Sequence, residues 1–303
     1  MWRTVIVSQG ERITVVNGNL RIAGAEDESL VPIADIYAVV IDNRAALISV
    51  NALAALAESG AHVFFCNEKH TPVGVTLPLN THFQPLAVVR RQLALTDREK
   101  GILWQKIVQA KIFNQARCLG FAGVDSDKVT ALLALAENVA EGDVKGLEAV
   151  AAKKYFQALF GLGFSRRDGG VINAALNYGY AIVRSAVAKT LTAYGYNCVL
   201  GIHHRSEQNA FNLADDLMEP FRPVVDLWVD TNNENLFEEL TKFNRKALLN
   251  LMNEGISMNG KTMRLRNAID ACISSLTGAL QRGQPNSLRL PELLRCGTQV
   301  DED

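Results

Sequence analysis

The sequence predicts an α+β protein with a small N-terminal β-rich domain followed by a larger all-α domain. Two observations predict this arrangement. Short runs of β-branched and aromatic residues, interrupted by turn residues, fill the first eighty positions, and a helix-forming composition with few prolines continues from about Arg98. The 303 residues are ample for a hydrophobic core, and 48% hydrophobic with 21% charged residues are ordinary globular values.

The predicted strands of the first domain span residues 2–7, 13–16, 20–22, 37–41, 62–66 and 73–77. Asn17-Gly18 separates the second strand from the third, and because both residues tolerate positive φ, a tight hairpin is expected there. An Ala- and Leu-rich helix over 51–58 ends before Gly60. The series is not a regular βαβ repeat, and neither GxGxxG nor GxxxxGK[ST] occurs, so the usual signature of a nucleotide-binding fold is missing.

The second half of the chain predicts helices over residues 102–116, 127–140, 146–160, 171–193, 209–219 and 236–252. We expect the β-rich domain at 1–85, a linker at 86–97, the helical domain at 98–287 and a flexible tail at 288–303.

Charge, apolar runs and cysteines exclude several classes of protein. With 31 basic and 32 acidic residues the net charge is −1, so binding to nucleic acid would depend on local basic patches. The longest apolar run, 45–57, is too short to span a bilayer, and the N-terminus has no signal-peptide pattern. Five separated cysteines without a CxxC pair indicate free thiols in a reducing cytoplasm and argue against a cysteine-based zinc site.

The most informative segment is GIHHRSEQNAFNLADDLMEPFRPVVD, at 201–226. Two imidazoles, His203 and His204, precede a helix that carries three acids. These acids are Asp215, Asp216 and Glu219. Carboxylates this close repel one another unless a cation offsets their charge.

Two interpretations of this segment stay open. The acids form a solvated helix face paired with Arg205 or Arg222, or they form part of a metal site. Imidazole and carboxylate ligands without thiolate favour Mn²⁺ or Mg²⁺.

A further acid, Glu148, lies at the start of a helix that is otherwise apolar or basic. Taken alone, it is most simply explained by the positive helix N-terminus.

Basic residues are concentrated after the first eighty positions. Each is most simply a surface residue, whereas together they suggest contacts to phosphates. They are Arg90, Arg91, Lys106, Lys111, Lys153, Lys154, Arg166, Arg167, Arg184, Lys242, Arg245, Lys246, Lys261, Arg264 and Arg266.

Four blocks, in this order, resemble the CRISPR-associated integrase family, whose members insert new spacers into CRISPR arrays. The first block is VPIADIYAVVIDNRAALISVNALAALAESGAHVFFCNEKHTPVG. The others are GLEAVAAKKYFQALF, FSRRDGGVINAALNYGYAIVRSAV and GIHHRSEQNAFNLADDLMEPFRPVVD. The resemblance covers essentially the whole chain and is closest to the form found in type II systems, which also use a Cas9-type effector.

The resemblance implies a set of catalytic residues that also bind Mg²⁺ or Mn²⁺. Glu148 matches the family's first ligand by its place before the Ala-Ala-x-x-Tyr-Phe run, and Glu219 matches the last by its place in DLMEPFRP. His204 matches the family's histidine by its spacing from Glu219, and Asp216 matches a supporting acid. We expect DNA contacts at Lys153, Arg166, Arg167 and Arg245.

The resemblance also implies an activity and its partners. The activity is a metal-dependent DNA endonuclease and integrase, in which the 3′-hydroxyl of a fragment attacks the leader–repeat phosphodiester of a CRISPR array. The expected assembly is a cytoplasmic, prokaryotic homodimer joined through the β-rich domain, with two dimers bridged by a small ferredoxin-like second adaptation protein. Its other partners are double-stranded DNA fragments, array DNA and the Cas9-type effector. Two alternatives are a structure-specific metal-dependent nuclease acting in DNA repair and a catalytically silent DNA-binding scaffold.

Overall fold

The computed structural model describes residues 3–9, 11–24, 27–68, 72–76 and 84–301. The chain divides into two compact units, Met1–Thr81 and His82–Asp303. The first unit is strand-rich and the second is predominantly helical, which confirms the predicted α+β class and the order of its two parts. Among the described residues, no helix is both long and apolar enough to cross a membrane.

The N-terminal unit has two four-stranded sheets that share one hydrophobic core. Its elements are β1 (Arg3–Val7), β2 (Arg12–Val16), β3 (Asn19–Ala23), β4 (Glu28–Pro32), β5 (Ile36–Ile41), β6 (Leu47–Ile48), α1 (Val50–Glu58), β7 (His62–Cys66) and β8 (Pro72–Val75). One sheet has the order β1-β5-β7-β8, in which β1, β5 and β7 are parallel, and the other has the order β4-β3-β2-β6. Buried Ile13, Val39 and Leu56 contribute to the core from β2, β5 and α1.

The predicted hairpin forms between β2 and β3, with Val16 opposite Asn19. Asn17 and Gly18 have φ values of 47° and 74°, as a two-residue hairpin turn requires. The strands β5 and β7 and the helix α1 also lie where they were predicted. Trp2 and Leu77, at the ends of two predicted strands, lie outside the described residues.

The C-terminal unit is organised around its longest helix, α3, which packs against α4, α5 and α8. Its elements are α2 (Pro85–Ala94), α3 (Asp97–Phe121), α4 (Ser126–Glu137), α5 (Leu147–Phe160), α6 (Val171–Ala193), α7 (Asn212–Met218), α8 (Arg222–Thr231), α9 (Lys242–Asn250), β9 (Gly255–Met258), β10 (Lys261–Arg264) and α10 (Leu265–Arg282). The side chain of Thr96 accepts the N–H of Glu99, and the Glu99 carboxylate accepts the N–H of Thr96. This capping box fixes the start of α3.

The structure differs from the predicted linker at 86–97, because α2 occupies most of that span. Pro85 lies at the first helical position, where its missing N–H has no cost. Val88 and Gln92 are buried, and the Gln92 amide donates to the carbonyl of Asn197 at 3.1 Å and accepts its N–H at 2.9 Å. This segment is therefore part of the helical unit.

The predicted flexible tail at 288–303 also differs from the structure, because its first half is packed. Leu288 and Leu293 are buried. The buried amide of Asn114, on α3, donates to the Pro291 carbonyl at 3.0 Å and accepts the Leu293 N–H at 2.9 Å. The antiparallel β9–β10 hairpin is a further departure from an all-helical domain.

Candidate active site

Glu148 is the second residue of α5, but it does not cap that helix. The carboxylate of Asp143 accepts the N–H of Leu147 at 2.8 Å and the N–H of Glu148 at 3.0 Å. Because Asp143 satisfies these donors, the Glu148 side chain is free to point elsewhere. Its Oε1 forms a short ion pair with Lys111 of α3. The simple helix-terminus interpretation of Glu148 is therefore insufficient.

Glu219 lies immediately after α7, and its side chain is only 7% exposed. Its Oε1 accepts a hydrogen bond from Nε of Arg222 at 2.9 Å, and its Oε2 lies 2.5 Å from Nζ of Lys111. Burial opposes ionisation of this carboxyl, but Arg222 and Lys111 outweigh burial and lower the pKa of Glu219 to about 2. The acid is therefore a stable carboxylate inside the protein.

The three acids of α7 and its C-terminal end have separate partners. Asp215 lies 3.8 Å from Nη1 of Arg184, whereas Asp216 turns toward the preceding loop. Asp216 and Glu219 are buried, so the solvated acidic face is wrong for these two residues. Of the two arginines considered from sequence, Arg222 does pair with Glu219.

Asp216 organises the loop that presents the histidines. Its fully buried carboxylate accepts the N–H groups of Ile202, His203 and His204 at 2.6, 3.0 and 3.1 Å. A Cβ added to Gly201 would lie 2.3 Å from the backbone carbonyl oxygen of His204 and 3.0 Å from Oδ2 of Asp216, so only glycine allows the loop to wrap this closely around the acid. Asp216 thus fixes the backbone from which both imidazoles extend.

His204 and His203 have different surroundings. Nδ1 of His204 lies 2.7 Å from Oδ1 of Asp216, and this hydrogen bond raises the pKa of His204. The charge of Glu219 acts in the same direction. His203 stacks flat on Trp104 instead, with ring centroids 4.2 Å apart and an angle of 2° between the planes. The neighbourhood of Glu219 and the engaged Nδ1 favour His204 over His203 as a ligand, through its Nε2.

Lys111 was interpreted from sequence as a surface residue, and that interpretation is wrong. It lies on the buried face of α3 and is only 7% exposed. Its ammonium contacts both Glu148 and Glu219. Burial disfavours the charged form, but the two carboxylates outweigh burial and raise the pKa of Lys111. The sequence does carry a signal for it, since Lys111 follows Trp104, Ile107 and Val108 at helical spacing within an apolar stripe.

Three of the four predicted DNA-contacting residues line one cleft. Lys153, Arg166 and Arg167 share this cleft of about 750 Å³ with Glu148, Phe156 and other residues of α5 and the following loop. The cleft thus combines three basic side chains with one acid of the predicted metal site.

Arg166 is held in place within this cleft. Its guanidinium donates to Asn177 at 2.6 Å and also binds Asn173, and it lies 5.2 Å from the ring centroid of Tyr180. Arg245 is not part of the cleft. It lies on α9, and its guanidinium donates to the carbonyl of Leu240 at 2.6 Å.

The residues present fit a divalent cation, although their side chains do not form a ready coordination shell. Within the described part of the chain, no three His, Cys, Asp or Glu side chains are grouped closely enough to hold a metal. The ammonium of Lys111 lies between Glu148 and Glu219 instead. Two carboxylates that already share one cation, beside an imidazole whose Nδ1 is engaged, are a suitable donor set for Mg²⁺ or Mn²⁺. Their role as metal ligands remains a prediction.

Several solved structures share the fold of this chain. A casposase bound to integration product aligns with a TM-score of 0.77 at 19% identity, covering 99% of this chain and 94% of that one. A chain of a Cas6-RT-Cas1–Cas2 complex aligns with a TM-score of 0.73 at 20% identity. The alignment covers 97% of this chain and 36% of that one. A Cas1 protein from Thermotoga maritima aligns with a TM-score of 0.71 at 15% identity. The alignment covers 92% of this chain and 97% of that one. At these identities the likeness shows a shared fold.

Sequence comparison shows the family. The CRISPR-associated endonuclease Cas1 of Neisseria meningitidis serogroup C (strain 8013) is 40% identical over 295 residues, which cover 97% of both chains. The CRISPR-associated endonuclease Cas1 2 of Pyrobaculum aerophilum is 30% identical over 259 residues, covering 82% of this chain and 88% of that protein. The family model described as CRISPR associated protein Cas1 matches residues 4–262. The resemblance found in the sequence is confirmed, and the chain belongs to the Cas1 family.

Proposed function

We propose that this chain is a DNA integrase with endonuclease activity that inserts fragments into CRISPR arrays, with Glu148, His204 and Glu219 as its catalytic residues. One observation carries the proposal. Acids from α5 and from the end of α7 converge on the single ammonium of Lys111, and Glu148 also lines a cleft with three basic residues. The names of the similar proteins support it, since two are CRISPR-associated endonucleases and a third is a casposase bound to integration product.

In the proposed reaction, the 3′-hydroxyl oxygen of a DNA fragment forms a bond to the phosphorus at the leader–repeat boundary. The bond between that phosphorus and the 3′-oxygen of the array strand breaks, and the released oxygen gains a proton. One phosphodiester replaces another, so the reaction needs no nucleoside triphosphate. This agrees with a sequence that has no P-loop motif. Water in place of the 3′-hydroxyl would give cleavage.

The residues of the site have distinct roles in this proposal. Glu148, His204 and Glu219 would hold Mg²⁺ or Mn²⁺, and a bound divalent ion supplies stabilisation of negative charge on the reacting phosphate. Asp216 would position His204 by accepting a hydrogen bond from its Nδ1–H, and in the neutral imidazole this leaves Nε2 with a lone pair. Arg222 keeps Glu219 ionised through the Nε hydrogen bond. Each role follows from a contact within the C-terminal unit.

DNA binding is proposed to use the cleft that Glu148 also lines. Lys153, Arg166 and Arg167 would neutralise backbone phosphates there, and Arg166 lies 5.7 Å from the ring centroid of Phe156 in the same cleft. Because phosphate contacts release counterions, binding should weaken steeply as salt rises. Arg245 would contribute only if the DNA also reaches α9.

The proposed partners are double-stranded DNA fragments, array DNA, a second copy of the chain, the small second adaptation protein and the Cas9-type effector. A chain of similar fold occurs in a complex named for Cas1 and Cas2, which supports a second adaptation protein. Large apolar side chains are exposed in the N-terminal unit, among them Leu30, Val50 and Val73. These side chains are available to the interface that is proposed through the β-rich unit.

A strand-transfer assay tests the proposed function. A labelled DNA fragment and a plasmid carrying a CRISPR array would be incubated with the protein, with and without its small partner, in Mg²⁺, Mn²⁺ or EDTA. We expect metal-dependent joining at the leader end that is lost in Glu148→Gln and in His204→Ala. His203→Ala is the matched control and should still join DNA. Cleavage without joining in every mixture would favour the hydrolytic repair nuclease instead.

A further inference from the structure

Lys111 lies at the candidate site but is not among the ligands that the family resemblance implies. It extends from the buried face of α3, and its ammonium bridges Oε1 of Glu148 and Oε2 of Glu219. These acids come from two other parts of the unit, the start of α5 and the end of α7. Lys111 therefore joins three segments at the point where the predicted metal ligands meet.

We infer that Lys111 is an internal counter-cation that holds the metal site together until a divalent ion displaces its ammonium. The inference rests on the proposed function, because it takes Glu148 and Glu219 as metal ligands. It goes beyond that function by naming the group with which the metal must compete.

The pairing of individual carboxylate oxygens supports competition between a divalent ion and the Lys111 ammonium, rather than binding of both at once. Arg222 binds Oε1 of Glu219, whereas Lys111 lies against Oε2 of the same carboxylate. Arg222 can therefore remain in place when an ion reaches Oε2, but Lys111 cannot. An ion bound to this oxygen and to Oε1 of Glu148 would lie where the ammonium now lies, and two cations this close repel strongly in a buried site.

The chemistry of lysine suits a displaceable cation. Its ammonium is a compact charge on a flexible four-carbon stem, so rotation of the side chain moves the charge while the helix backbone stays fixed. Without it, a half-buried and a buried carboxylate would face each other, which is destabilising. Lys111 thus stabilises the metal-free protein and at the same time weakens its affinity for metal.

Calorimetric titration with MnCl₂ tests the inference on the full chain and its variants. We expect Lys111→Met to bind Mn²⁺ about tenfold more tightly than the unsubstituted protein. In EDTA its thermal midpoint should fall by roughly 5 °C, and Mn²⁺ should raise that midpoint by more than in the unsubstituted protein. Lys106→Met removes a lysine from the same helix, in a different groove, and should change neither quantity.

Glu148→Gln separates failure of this inference from failure of the proposed function. If the unsubstituted protein binds Mn²⁺ and Glu148→Gln weakens that binding, the metal site exists. Unchanged or weaker binding by Lys111→Met would then overturn the inference alone. If Mn²⁺ binds to none of the variants, both the metal site and the inference are wrong.

Whether the variants fold gives one further result that would support the inference and one that would overturn it. A Lys111→Met chain that folds only with Mn²⁺ supports the inference, since the ion then replaces the ammonium. Lys111→Gln, which retains a donor for the carboxylates, is the second variant. If neither chain folds even with Mn²⁺, Lys111 is required together with the ion and the inference is wrong.

Discussion

Glu219 and Asp226 are two buried carboxylates at opposite ends of the same short stretch of chain, and they have opposite surroundings. Glu219 is 5% exposed and Asp226 is 1% exposed. Glu219 is bound by Arg222 and Lys111, which lower its pKa to about 2. Asp226 accepts hydrogen bonds from the hydroxyls of Tyr155 and Tyr180, and burial raises its pKa to about 6.

The partners of a buried acid, rather than its burial, therefore decide what the acid can do. Cations keep Glu219 ionised, and a cation partner can be exchanged for a metal ion. The phenols that surround Asp226 stabilise a packed junction among α5, α6 and α8 and are not exchangeable in this way. Glu219 is accordingly proposed as catalytic, and Asp226 as structural.

The largest expected effect comes from neutralising the proposed ligands. Glu219→Gln keeps the shape of the side chain but removes the charge, and we expect strand transfer to fall about a thousandfold or more. Asp226→Asn is the matched control, because it neutralises an equally buried acid, and it should leave joining nearly unchanged. Equal loss of activity in both variants, measured in the same strand-transfer assay, would break the distinction between the two acids.

A smaller effect is expected from Asp216→Asn. The single amide oxygen can still accept the N–H groups of Ile202 and His203, but the NH₂ group that replaces the other oxygen no longer accepts from the N–H and Nδ1 of His204. Loss of such a supporting partner is expected to lower activity by about 10- to 100-fold. Initial rates of joining at several Mn²⁺ concentrations measure this effect, and full activity would remove Asp216 from its supporting role.

The raised pKa of Asp226 also predicts that the free energy of unfolding depends on pH. Its folded-state pKa of about 6 lies above the ordinary value of 3.8, so the folded protein holds this proton more tightly than the unfolded chain. Protonated Asp226 contributes on the order of 3 kcal/mol to the free energy of unfolding. This contribution is fully present below about pH 4 and is lost as pH rises through 6.

Urea denaturation near pH 4.5 and pH 7 measures this dependence. Asp226→Asn cannot ionise, so its stability relative to the unsubstituted protein should improve toward the higher pH. Parallel pH profiles for the two proteins would show that Asp226 is already ionised in the folded state at the lower pH.

The smallest expected effect concerns the basic cleft. Arg167→Gln should weaken DNA binding a few-fold and reduce the slope of log affinity against log salt by about 1, as expected when one phosphate contact is lost. Arg245→Gln removes the same charge from α9, outside the cleft, and should change the slope less. Fluorescence anisotropy at several salt concentrations measures both, and a larger change for Arg245 would place the DNA elsewhere.

Much of the fold could be predicted where local signals decide the structure. Asn17-Gly18 identified its hairpin because that pair favours positive φ in any context. The same signal occurs at Asn259-Gly260, where φ is 57° and 77°, and it marks the β9–β10 hairpin, which was not predicted. Helix α2 was missed for another reason, because the burial of Val88 and Gln92 depends on residues distant in sequence.

The candidate site shows the same division between residues that local motifs predict and residues whose role depends on distant parts of the chain. Glu148, His204 and Glu219 were selected from motifs. The structure brings Glu148 and Glu219 onto the ammonium of Lys111, and the charge of Glu219 raises the pKa of His204. Lys111 was missed because a single lysine in an apolar stripe resembles a surface residue whose stem packs on the helix. Its role depends on two acids that are adjacent only in the folded chain.

The most direct test of the proposed metal centre is an anomalous difference map from crystals of the protein soaked in Mn²⁺. We expect one peak about 2.2 Å from carboxylate oxygens of Glu148 and Glu219 and from Nε2 of His204, with the ammonium of Lys111 moved away. A map with no peak between these side chains, with Lys111 still bridging the two acids, would contradict the assignment.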